Sequence, residues 1–594
     1  MNKKFLIKWG AIPVLALLLN FSGNTQVVFS EWLSGTGTRG WDLVNDMTCD
    51  VAGNIYITGS FTDTIVKSGP AGRATNSGRL MYVAKFDTSG KLIWNKNILN
   101  VGAGFGSLIA QGSNSQLILA GGVEISNQRT GIQTGKSGFF LSSLNDQGMV
   151  NWTQNFTGSK LDYLTSLIVD TLRSEILITG YFHDTLRIGE KKLISSGATD
   201  GVFLWFDITG TLKDAWVIGG KAEDKLSCVA IDSLGNRILA GIFQQKIQFG
   251  KTSVLELNNH RDQGLFAARQ NHDGVFNSLK LLATGKKIKV SSIMTFGEGC
   301  IVAGSFSDNM SLGNQMLHAV GGDDVFILCL DQKLQIAWVK QIGGEKKDRI
   351  SEILNIGKEV ILTGSFNSSI TIDHQKLTAT GNSSDVFIIA LDFSGNLKWM
   401  RKAGGKANDY PTCMVPGPKG YIYLAGSYRQ TFNLNEKSLE SVGEEDVFIG
   451  RLENCKVLAP DIKRPVYFCE DNRVDLDAGD GFISYDWNNG FSHEQTITVD
   501  QGGIVTLELI AANGCILYDT IGVSEVLKPV VNLGNDTTIA DTSRILLHTG
   551  GKYSHYLWNN GNIKSDNLIK GIELHEGPNL VKVSVTNDQG CIGG

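Results

Sequence analysis

Short apolar runs that alternate with polar residues cover most of the chain, and one of these runs recurs at a nearly constant interval. Each copy ends in Gly-Ser-Phe or a close variant of it. The glycines of the seven copies are Gly59, Gly121, Gly180, Gly241, Gly304, Gly364 and Gly426. A period of about 60 residues predicts an array of supersecondary units in which neighbouring units bury one another's apolar faces.

Each period also contains the pattern of a β-hairpin. An apolar run that begins with Asp, such as residues 385–388 (DVFI), leads through a glycine-containing turn to a tryptophan, as in residues 392–399 (DFSGNLKW). A further short run, such as residues 186–189, lies between the glycine phrase and the Asp run. The pattern predicts four strands per repeat and shows no helical periodicity.

Seven four-stranded antiparallel units predict a β-propeller. A parallel β-helix is the alternative, although its shorter coils would not need a hairpin turn in every repeat. Trp94 and Trp399 each lie 27 residues before a glycine of the phrase, and Trp32 has the same spacing but no hairpin partner before it. The last repeat lacks a Trp strand. We therefore expect the Trp32 strand to complete the last sheet, which would close the ring and remove an exposed edge.

A second repeated feature is a tryptophan followed ten residues later by an aspartate. One interpretation is a ring of carboxylates that binds cations. The other is that each aspartate accepts backbone N–H bonds at a tight turn between strands. We favour the turn, because a residue repeated in many units is typical of a scaffold. The pairs are Trp32 and Asp42, Trp152 and Asp162, Trp338 and Asp348, and Trp399 and Asp409.

These signatures, written W-x9-D, I-x-x-G-S-F and D-V-F-I-x-x-L-D-x-x-G-x-L-x-W, resemble the seven-bladed β-propeller repeats of secreted bacterial proteins, often called SBBP-type repeats. The resemblance covers residues 30–455. It implies the fold and says little about an activity. The second repeat departs from it at residues 122–123, where Gly-Val replaces Ser-Phe, and the fourth has Ser278-Leu279 where Trp is expected.

The period ends at a linker marked by Ala459-Pro460, and two shorter, related units follow. They share the phrases YDWNNG at residues 485–490 and YLWNNG at residues 556–561. Short alternating strands around a central Trp predict β-sandwiches. The units resemble the Ig-like, PKD-like modules of bacterial proteins exported by type IX secretion. The fold class expected is therefore all-β, a seven-bladed propeller (26–455) followed by two Ig-like modules (456–527 and 528–594), the second incomplete.

The chain has nine cysteines. Five fall in the repeats without the CxxC spacing of a zinc site, so we expect them to behave as small buried hydrophobic residues. In the first Ig-like module, Cys469 and Cys515 flank the central Trp. The resemblance implies an inter-sheet disulfide between these two residues in an exported chain. It leaves Cys455 and Cys591 without assigned partners.

The N-terminus has the pattern of a signal peptide, which we place at residues 1–25. Lys3, Lys4 and Lys8 precede a short apolar run at residues 11–19, which is too short to span a bilayer. A buried N-terminal strand is the alternative. No later segment has about 18 consecutive apolar residues, so we expect no membrane span. The expected location is secreted or at the cell surface.

Composition and motifs exclude several function classes. The formal net charge of −5 provides no electrostatic footprint for nucleic acid. Residues 35–40 satisfy GxGxxG but lack a following helix, and residues 131–137 are one residue short of a P-loop. There is no GxSxG elbow and no HExxH. The sequence thus predicts no catalytic residue, no metal ligand and no cofactor, and it predicts a protein that is not an enzyme.

The first functional hypothesis is an exported, monomeric binding or adhesion scaffold whose partner is an extracellular protein or a glycan. The insertions at residues 68–79 and 126–136 are candidate ligand loops, or else plain surface loops. A second hypothesis is a secreted hydrolase or lyase acting on polysaccharide. It requires two or three non-repeated carboxylates or histidines that converge in one channel. A third is a structural component of a surface-motility or secretion apparatus.

Overall fold

The protein is all-β in a computed structural model. The structure describes residues 31–594 except 39, 62–79, 98–103, 114, 125–136, 159–161, 250–252, 436, 453–459, 461, 512–515, 539–545, 559–561, 565–567 and 571–575. Within these ranges the helical content is a single 3-10 turn at Pro418–Gly420, and no helix is long and apolar enough to cross a membrane. The predicted signal peptide, both insertions, Cys455 and Cys515 lie outside the described residues.

The strands of the first three repeats follow the predicted hairpin pattern. In chain order they are β1 (Trp32–Thr36), β2 (Asp42–Cys49), β3 (Ile55–Phe61), β4 (Leu80–Phe86), β5 (Leu92–Asn97), β6 (Gly104–Gln111), β7 (Leu117–Glu124), β8 (Ser137–Leu144), β9 (Val150–Gly158), β10 (Tyr163–Asp170), β11 (Glu175–Phe182), β12 (Thr185–Ile188), β13 (Lys191–Ile194), β14 (Asp200–Asp207) and β15 (Leu212–Ile218).

The next repeats contain one unusually long strand, β21, which ends one unit and begins the next. The strands are β16 (Lys225–Ile231), β17 (Arg237–Gln244), β18 (Lys246–Phe249), β19 (Ser253–Glu256), β20 (Gln263–Gln270), β21 (Phe276–Phe296), β22 (Gly299–Leu312), β23 (Gln315–Leu330), β24 (Ile336–Ile342), β25 (Arg349–Ile356), β26 (Glu359–Asn367), β27 (Ser369–Ile372), β28 (Gln375–Thr378), β29 (Ser384–Asp392), β30 (Leu397–Ala403), β31 (Tyr410–Pro416), β32 (Ile422–Tyr428), β33 (Thr431–Leu434), β34 (Lys437–Glu440) and β35 (Asp446–Leu452).

The remaining strands belong to the C-terminal region. They are β36 (Val466–Cys469), β37 (Val474–Asp477), β38 (Phe482–Trp487), β39 (Thr496–Val499), β40 (Gly503–Ala511), β41 (Ile516–Val526), β42 (Leu546–His548), β43 (His555–Trp558), β44 (Asn562–Lys564), β45 (Leu568–Lys570), β46 (Val583–Thr586) and β47 (Ile592–Gly593).

The repeats form antiparallel four-stranded units. Their orders are β2-β3-β4-β5, β6-β7-β8-β9, β10-β11-β14-β15, β16-β17-β20-β21, β21-β22-β23-β24, β25-β26-β29-β30 and β31-β32-β35-β1. The first strand of each unit is its inner strand. Neighbouring inner strands contact one another in the order β2, β6, β10, β16, β21, β25 and β31, and β31 contacts β2. The contacts therefore return to their starting point, and the inner strands enclose a central channel.

The strand that carries Trp32 joins the two ends of this arrangement. β1 pairs with β35 in antiparallel register from Trp32 opposite Arg451 to Thr36 opposite Val447, which is the pairing that the Trp spacing predicts. The Trp32 indole N–H also donates to the Thr88 carbonyl at 2.9 Å, in the turn between β4 and β5. The closing strand thus binds the last unit and the first unit together.

A buried ion pair anchors the start of the closing strand. Arg401 of β30 donates from both terminal nitrogens to Glu31, with Nη1–Oε1 at 2.7 Å and Nη2–Oε2 at 2.8 Å. Arg401 is 1% exposed and Glu31 is 7% exposed. Charge-assisted bidentate bonds of this kind fix geometry as well as adding energy. The pair connects the N-terminal segment to the unit before the one it completes.

The repeated glycine has a steric cause. Each inner strand carries a β-bulge, and in most units a carbonyl just before the bulge approaches the glycine of the neighbouring strand. A Cβ atom added at the glycine would lie 1.9–2.4 Å from this oxygen, which is too close for any side chain. The glycine and carbonyl pairs are Gly59 and Leu43, Gly180 and Tyr163, Gly241 and Lys225, Gly304 and Lys289, Gly364 and Arg349, and Gly426 and Tyr410.

We expect Gly364→Ala to lower the free energy of unfolding by about 1–3 kcal/mol, because the new methyl group forces the backbone of β25 and β26 apart. Thermal or denaturant unfolding of the purified variant measures the loss. Gly503→Ala is the matched control, since nothing lies within 4 Å of an added Cβ there. Equal stability of the two variants would show that the close approach at Gly364 is absent.

The C-terminal region is joined to the ring by a strand pairing. Trp399 and Met400 of β30 pair with Leu517 and Ile516 of β41, so the sheet of β25, β26, β29 and β30 continues into β41, β40 and β38. Trp399 is only 2% exposed as a result. Further along the chain, β44, β43, β46 and β47 form one sheet, and β42 pairs with β45.

The predicted disulfide between Cys469 and Cys515 is wrong, because Cys469 is bonded to Cys591. Cys469 ends β36, which runs parallel to β41 and places Cys469 opposite Val526. Ile516, the residue after Cys515, is at the other end of β41, about 33 Å away at the usual rise per residue. The Cα atoms of a disulfide are usually 4.4–6.8 Å apart. The thiols of Cys49, Cys228, Cys300, Cys329 and Cys413 are free.

Candidate functional site

The bulges on the inner strands place one residue of each strand at an equivalent level of the channel. These are the residues at which pairing resumes after the bulge, and we call them the channel ring. Its members are Asp46, Leu108, Ser166, Cys228, Ser292, Glu352 and Cys413. Five of the seven members are the neutral residues Leu, Ser and Cys, so the two carboxylates stand out as non-repeated acids.

Asp46 is held by two backbone N–H groups. Its Oδ1 accepts from Met47 N at 2.8 Å and its Oδ2 accepts from Ile109 N on the neighbouring inner strand at 2.8 Å. The side chain is half-buried. Burial raises the pKa of Asp46 to about 7, against the opposing effect of the two N–H bonds.

Glu352 has fewer donors. Its Oε1 accepts from the Ser292 hydroxyl at 3.2 Å, and the Ser292 oxygen in turn accepts from Ile353 N at 3.3 Å. Burial raises the pKa of Glu352 to about 8, and the negative charge of Asp46 adds to this effect. The field of one carboxylate therefore reaches the other across the ring.

The two environments favour different protonation states. Two backbone donors stabilise the ionised form of Asp46, whereas Glu352 receives one hydroxyl hydrogen bond and the repulsion of Asp46. The pair titrates as a coupled system in which Asp46 ionises first and Glu352 keeps its proton at neutral pH. Cys413 lies on the intervening strand, and burial with both carboxylates raises the pKa of its thiol well above the ordinary value. This thiol is therefore a poor nucleophile.

Aromatic side chains surround the end of the channel at which the inner strands begin. Tyr163 and Tyr181 are stacked with ring centroids 6.0 Å apart, and the Lys225 amine lies 5.3 Å from the Tyr181 centroid. Trp41, Tyr163 and Tyr410 are 37%, 39% and 40% exposed. We call Trp41, Tyr163, Tyr181 and Tyr410 the mouth aromatics. Tyr163 and Tyr410 each precede a ring residue by three positions, which places the ring about 10 Å below them.

An open cavity of about 690 Å³ lies beside this end of the channel. Amide, hydroxyl and charged side chains line it, and Arg429 in its wall packs against Trp41 with a 4.6 Å separation between the guanidinium carbon and the ring centroid. Polar groups of this kind can bind hydroxyl-rich ligands. The lining residues are Asn382, Ser383, Lys406, Ala407, Asn408, Arg429, Gln430, Ser441, Gly443 and Glu444.

The aspartates repeated ten residues after tryptophan accept hydrogen bonds from backbone N–H groups. Asp162 accepts from His183 N at 2.8 Å, Asp348 from Asn367 N at 3.2 Å and Asp409 from Gly405 N at 2.7 Å. The contact of Asp409 with Gly405, four residues before it, is of the kind that the turn interpretation predicts. The donors to Asp162 and Asp348 lie about 20 residues away in sequence, so these two bonds connect strands rather than close a tight turn. In the part of the chain that the structure describes, no group of three or more His, Cys, Asp or Glu side chains could hold a metal ion.

The sequence reasoning missed the channel ring although a signal for it exists. Glu352 and Cys413 follow the repeated Asp348 and Asp409 by four positions, and Asp46 follows Asp42 by the same interval. Aligning the repeats on this aspartate would have shown acids at a position where other repeats carry Ser, Cys or Leu.

No family model matches the chain, and no curated protein matches it. The solved structures similar to it are β-propeller proteins. Virginiamycin B lyase from Staphylococcus aureus is 10% identical with a TM-score of 0.36, covering 71% of this chain and 99% of that one. Polysaccharide lyase Uly1 is 9% identical with a TM-score of 0.37, covering 69% and 89%. The NanB sialidase of Streptococcus pneumoniae is 9% identical with a TM-score of 0.31, covering 71% and 70%.

The prediction that the protein is not an enzyme is not supported by these comparisons, because the similar structures include two lyases and a sialidase, all at 10% identity or less. The physical reason for the error is the kind of signal that was sought. The motifs sought are local in sequence, whereas Asp46 and Glu352 are about 300 residues apart and become members of one channel ring only when the ring closes.

Proposed function

We propose that the protein is an exported glycoside hydrolase, built as a seven-bladed propeller, that cleaves sugar units from a polysaccharide chain end in its central channel. The observation that carries this proposal is the pair of non-repeated carboxylates, Asp46 and Glu352, at one level of the channel with unlike environments. Hydrolysis of a glycosidic bond requires one carboxyl group as an acid and a second as a base or nucleophile. The two pKa values, about 7 and about 8, suit these roles near neutral pH.

The roles follow from the hydrogen bonds. Glu352, protonated at neutral pH, donates its proton to the glycosidic oxygen as the bond from that oxygen to the anomeric carbon breaks. Asp46, ionised and fixed by two N–H groups, accepts a proton from water, whose oxygen bonds to the anomeric carbon. The next cycle needs the proton to return from Asp46 to Glu352 through solvent. Elimination by a tyrosine base is less well supported, because burial raises the pKa of both Tyr163 and Tyr181.

The approach to the ring supports a substrate that enters end-on. The mouth aromatics offer flat apolar faces that can stack on the C–H face of a sugar ring, and the neighbouring cavity offers amide and hydroxyl groups for its hydroxyls. The ring is about 10 Å below Tyr163 and Tyr410, a depth of about two sugar units. A chain end reaches the carboxylates at this depth, and the middle of a polymer does not. We therefore propose release of short products.

The C-terminal region is proposed to act as Ig-like modules at residues 456–527 and 528–594 that hold the ring away from an anchoring surface. The β30–β41 pairing supports a fixed orientation of the first module on the ring. Secretion or surface display and a monomeric state belong to the same proposal.

We expect the rate of hydrolysis to have a narrow maximum between pH 7 and 8. The value of kcat/KM rises as Asp46 ionises near pH 7 and falls as Glu352 loses its proton near pH 8. Release of reducing ends from laminarin, xylan, mannan, cellulose and pectin, followed from pH 5 to 9, measures the profile. Chromatography of the products tests for mono- and disaccharides.

Three outcomes would count against the proposal. One is the absence of reducing ends from every polymer at all pH values. Another is an unsaturated product detected by its ultraviolet absorbance, which would indicate elimination in place of hydrolysis. The third is a pH profile that is flat between 6 and 9, since neither carboxyl group would then control the rate.

A further inference from the structure

Buried aspartates meet in pairs where one four-stranded unit packs against the next. In each pair the first aspartate lies on the third strand of a unit, and the second directly precedes the inner strand of the following unit. All six side chains are 0% exposed. We call them the junction pairs: Asp200 and Asp224, Asp324 and Asp348, and Asp385 and Asp409.

The second aspartate of each pair is bound by backbone N–H groups. Asp224 accepts from Gly220 N at 2.6 Å and from Gln244 N at 3.2 Å. Asp409 accepts from Gly405 N at 2.7 Å, and Asp348 accepts from Asn367 N at 3.2 Å. These donors stabilise a carboxylate without any cation.

The first aspartate has a donor on one oxygen. Asp324 Oδ2 accepts from Val320 N and Gln341 Nε2, and Asp385 Oδ2 accepts from Thr380 N at 2.6 Å. The Oδ1 atoms of Asp200, Asp324 and Asp385 are buried and have no hydrogen-bond partner among the residues that the structure describes. The same holds for Asp348 Oδ2 and Asp409 Oδ1 in the second aspartates. Each pair therefore contains at least one buried oxygen that lacks a donor.

The two carboxyl groups of a pair lie close to each other. A Cβ atom added at Gly404 would lie 2.8 Å from Asp385 Oδ1 and 3.0 Å from Asp409 Oδ2, so these two oxygens flank one glycine. Gly343 occupies the matching place beside Asp324, where an added Cβ would be 2.2 Å from Cγ. Backbone therefore packs against the unpartnered oxygens and takes the space that a hydrated cation would need.

Other charged groups around the pairs have their own contacts. Arg349 bonds to Asp323 at 3.0 Å, Lys402 donates to the Thr378 carbonyl at 2.8 Å, and Lys225 lies 3.7 Å from Glu223. The remaining titratable groups that act on the pairs are Asp323 beside Asp324 and Asp348, Glu223 beside Asp224, and Tyr428 near Asp409. Two buried carboxylates without a dedicated cation are costly unless one of them is neutral.

We infer that each junction pair is a proton-binding site, in which the two carboxyl groups share one proton in the folded protein. A protonated oxygen is a donor rather than an orphaned acceptor, and the pair then carries one negative charge, which the N–H groups bonded to both aspartates stabilise. These three junction pairs release their protons only when the solvent becomes alkaline or the sheets separate.

The pKa values of the pairs agree with this assignment. Burial is the main cause that raises the pKa of Asp224 and Asp409 to about 8 and the pKa of Asp348 to about 7, and the charge of the neighbouring aspartate adds to it. Burial also raises the pKa of the first aspartates. The proton belongs to the coupled pair rather than to either aspartate alone.

The sign of the pH dependence follows from linkage. In the unfolded chain these aspartates ionise near pH 4, and in the folded ring the pair keeps one proton up to about pH 7 to 8. The folded state binds more protons than the unfolded state between these limits, so stability falls as the pH rises through them and becomes flat above pH 8.

The test compares melting temperatures from pH 5 to 9 for the wild type and for the triple variant Asp200→Asn, Asp324→Asn and Asp385→Asn. Asparagine keeps the shape and carries no charge. The melting temperature of the variant should therefore fall by several degrees less than that of the wild type between pH 6 and 9. Asp500→Asn, at an exposed position, is the matched control and should follow the wild type. Because Asp46 and Glu352 titrate in the same range, Asp46→Asn with Glu352→Gln is measured separately to subtract their share.

The inference is overturned if the triple variant has the same pH slope as the wild type. It is also overturned if CaCl2 raises and EDTA lowers the melting temperature of the wild type at pH 8 while leaving the variant unchanged, since the pairs would then hold a cation. Infrared spectroscopy of the Asp46→Asn, Glu352→Gln variant, which lacks the two channel-ring carboxyl groups, covers the case in which the triple variant does not fold. A carboxylic C=O band that persists at pH 7 supports the inference, and its absence contradicts it.

Discussion

Replacing Arg401 with alanine is expected to lower the free energy of unfolding by about 3–5 kcal/mol, because the substitution leaves the Glu31 carboxylate buried without its bidentate partner. The two residues are 370 positions apart in sequence, and their contact fixes the start of the closing strand against β30. Denaturant unfolding of the purified variant measures the loss. We also expect the unfolding transition to broaden, because the strand that joins the first and last units is released first.

The control replaces both partners with apolar residues of similar size, Glu31→Leu with Arg401→Met. Exchanging a buried ion pair for apolar packing is often close to neutral, so the double variant should recover most of the stability lost in Arg401→Ala. An Arg401→Ala variant within about 1 kcal/mol of the wild type would mean that the pair is solvated and the closing strand is not seated.

Glu352→Gln is expected to reduce kcat of polysaccharide hydrolysis by about 10²- to 10⁴-fold, because glutamine keeps the shape of the side chain and cannot donate the proton to the leaving group. KM should stay near its wild-type value, since the mouth aromatics that bind the sugar are untouched. Steady-state release of reducing ends on the preferred polymer measures both constants.

The matched control for Glu352→Gln is Ser166→Ala, which changes a neutral member of the same channel ring. It should retain activity within a few-fold of the wild type. Both variants should fold, and Glu352→Gln should be at least as stable as the wild type at pH 8, because the substitution removes a carboxyl group whose ionisation is disfavoured by burial. Full activity of Glu352→Gln would remove Glu352 from the mechanism.

Much of the fold could be predicted from the sequence because its determinants are local and repeated. Gly364 and its equivalents mark the place where a bulged inner strand crowds the next strand, and this steric demand produces the period. Trp32 could be assigned to the last sheet because its spacing matched that of Trp94 and Trp399. The indole N–H of Trp32 donates to Thr88, and those of Trp94 and Trp338 donate in the same way to a turn of the next unit. The repeated tryptophan therefore makes a contact between units.

The candidate site could not be predicted in the same way, because it depends on how the repeats differ. Asp46 and Glu352 occupy positions that hold Ser, Cys or Leu in other units, and each one alone is an ordinary polar residue on a strand. Their mutual effect exists only across the closed ring. The prediction of the disulfide was wrong for a related reason. Cys469 lies at the end of β36, whose parallel pairing with β41 is not indicated by any local pattern, and it is bonded to Cys591.

The most direct test of the closed ring is a disulfide engineered across the joint between β1 and β35. Leu33 and Gly450 are paired in register, and opposite residues of antiparallel strands have Cα atoms about 4.5–5.5 Å apart, which is within the range of a disulfide. Mild oxidation of the folded Leu33→Cys, Gly450→Cys variant should give a linked peptide that contains both residues, as identified by mass spectrometry. The Leu33→Cys, Thr498→Cys variant should give none. Two free thiols in the first variant after oxidation would contradict the closed ring, and with it the meeting of Asp46 and Glu352.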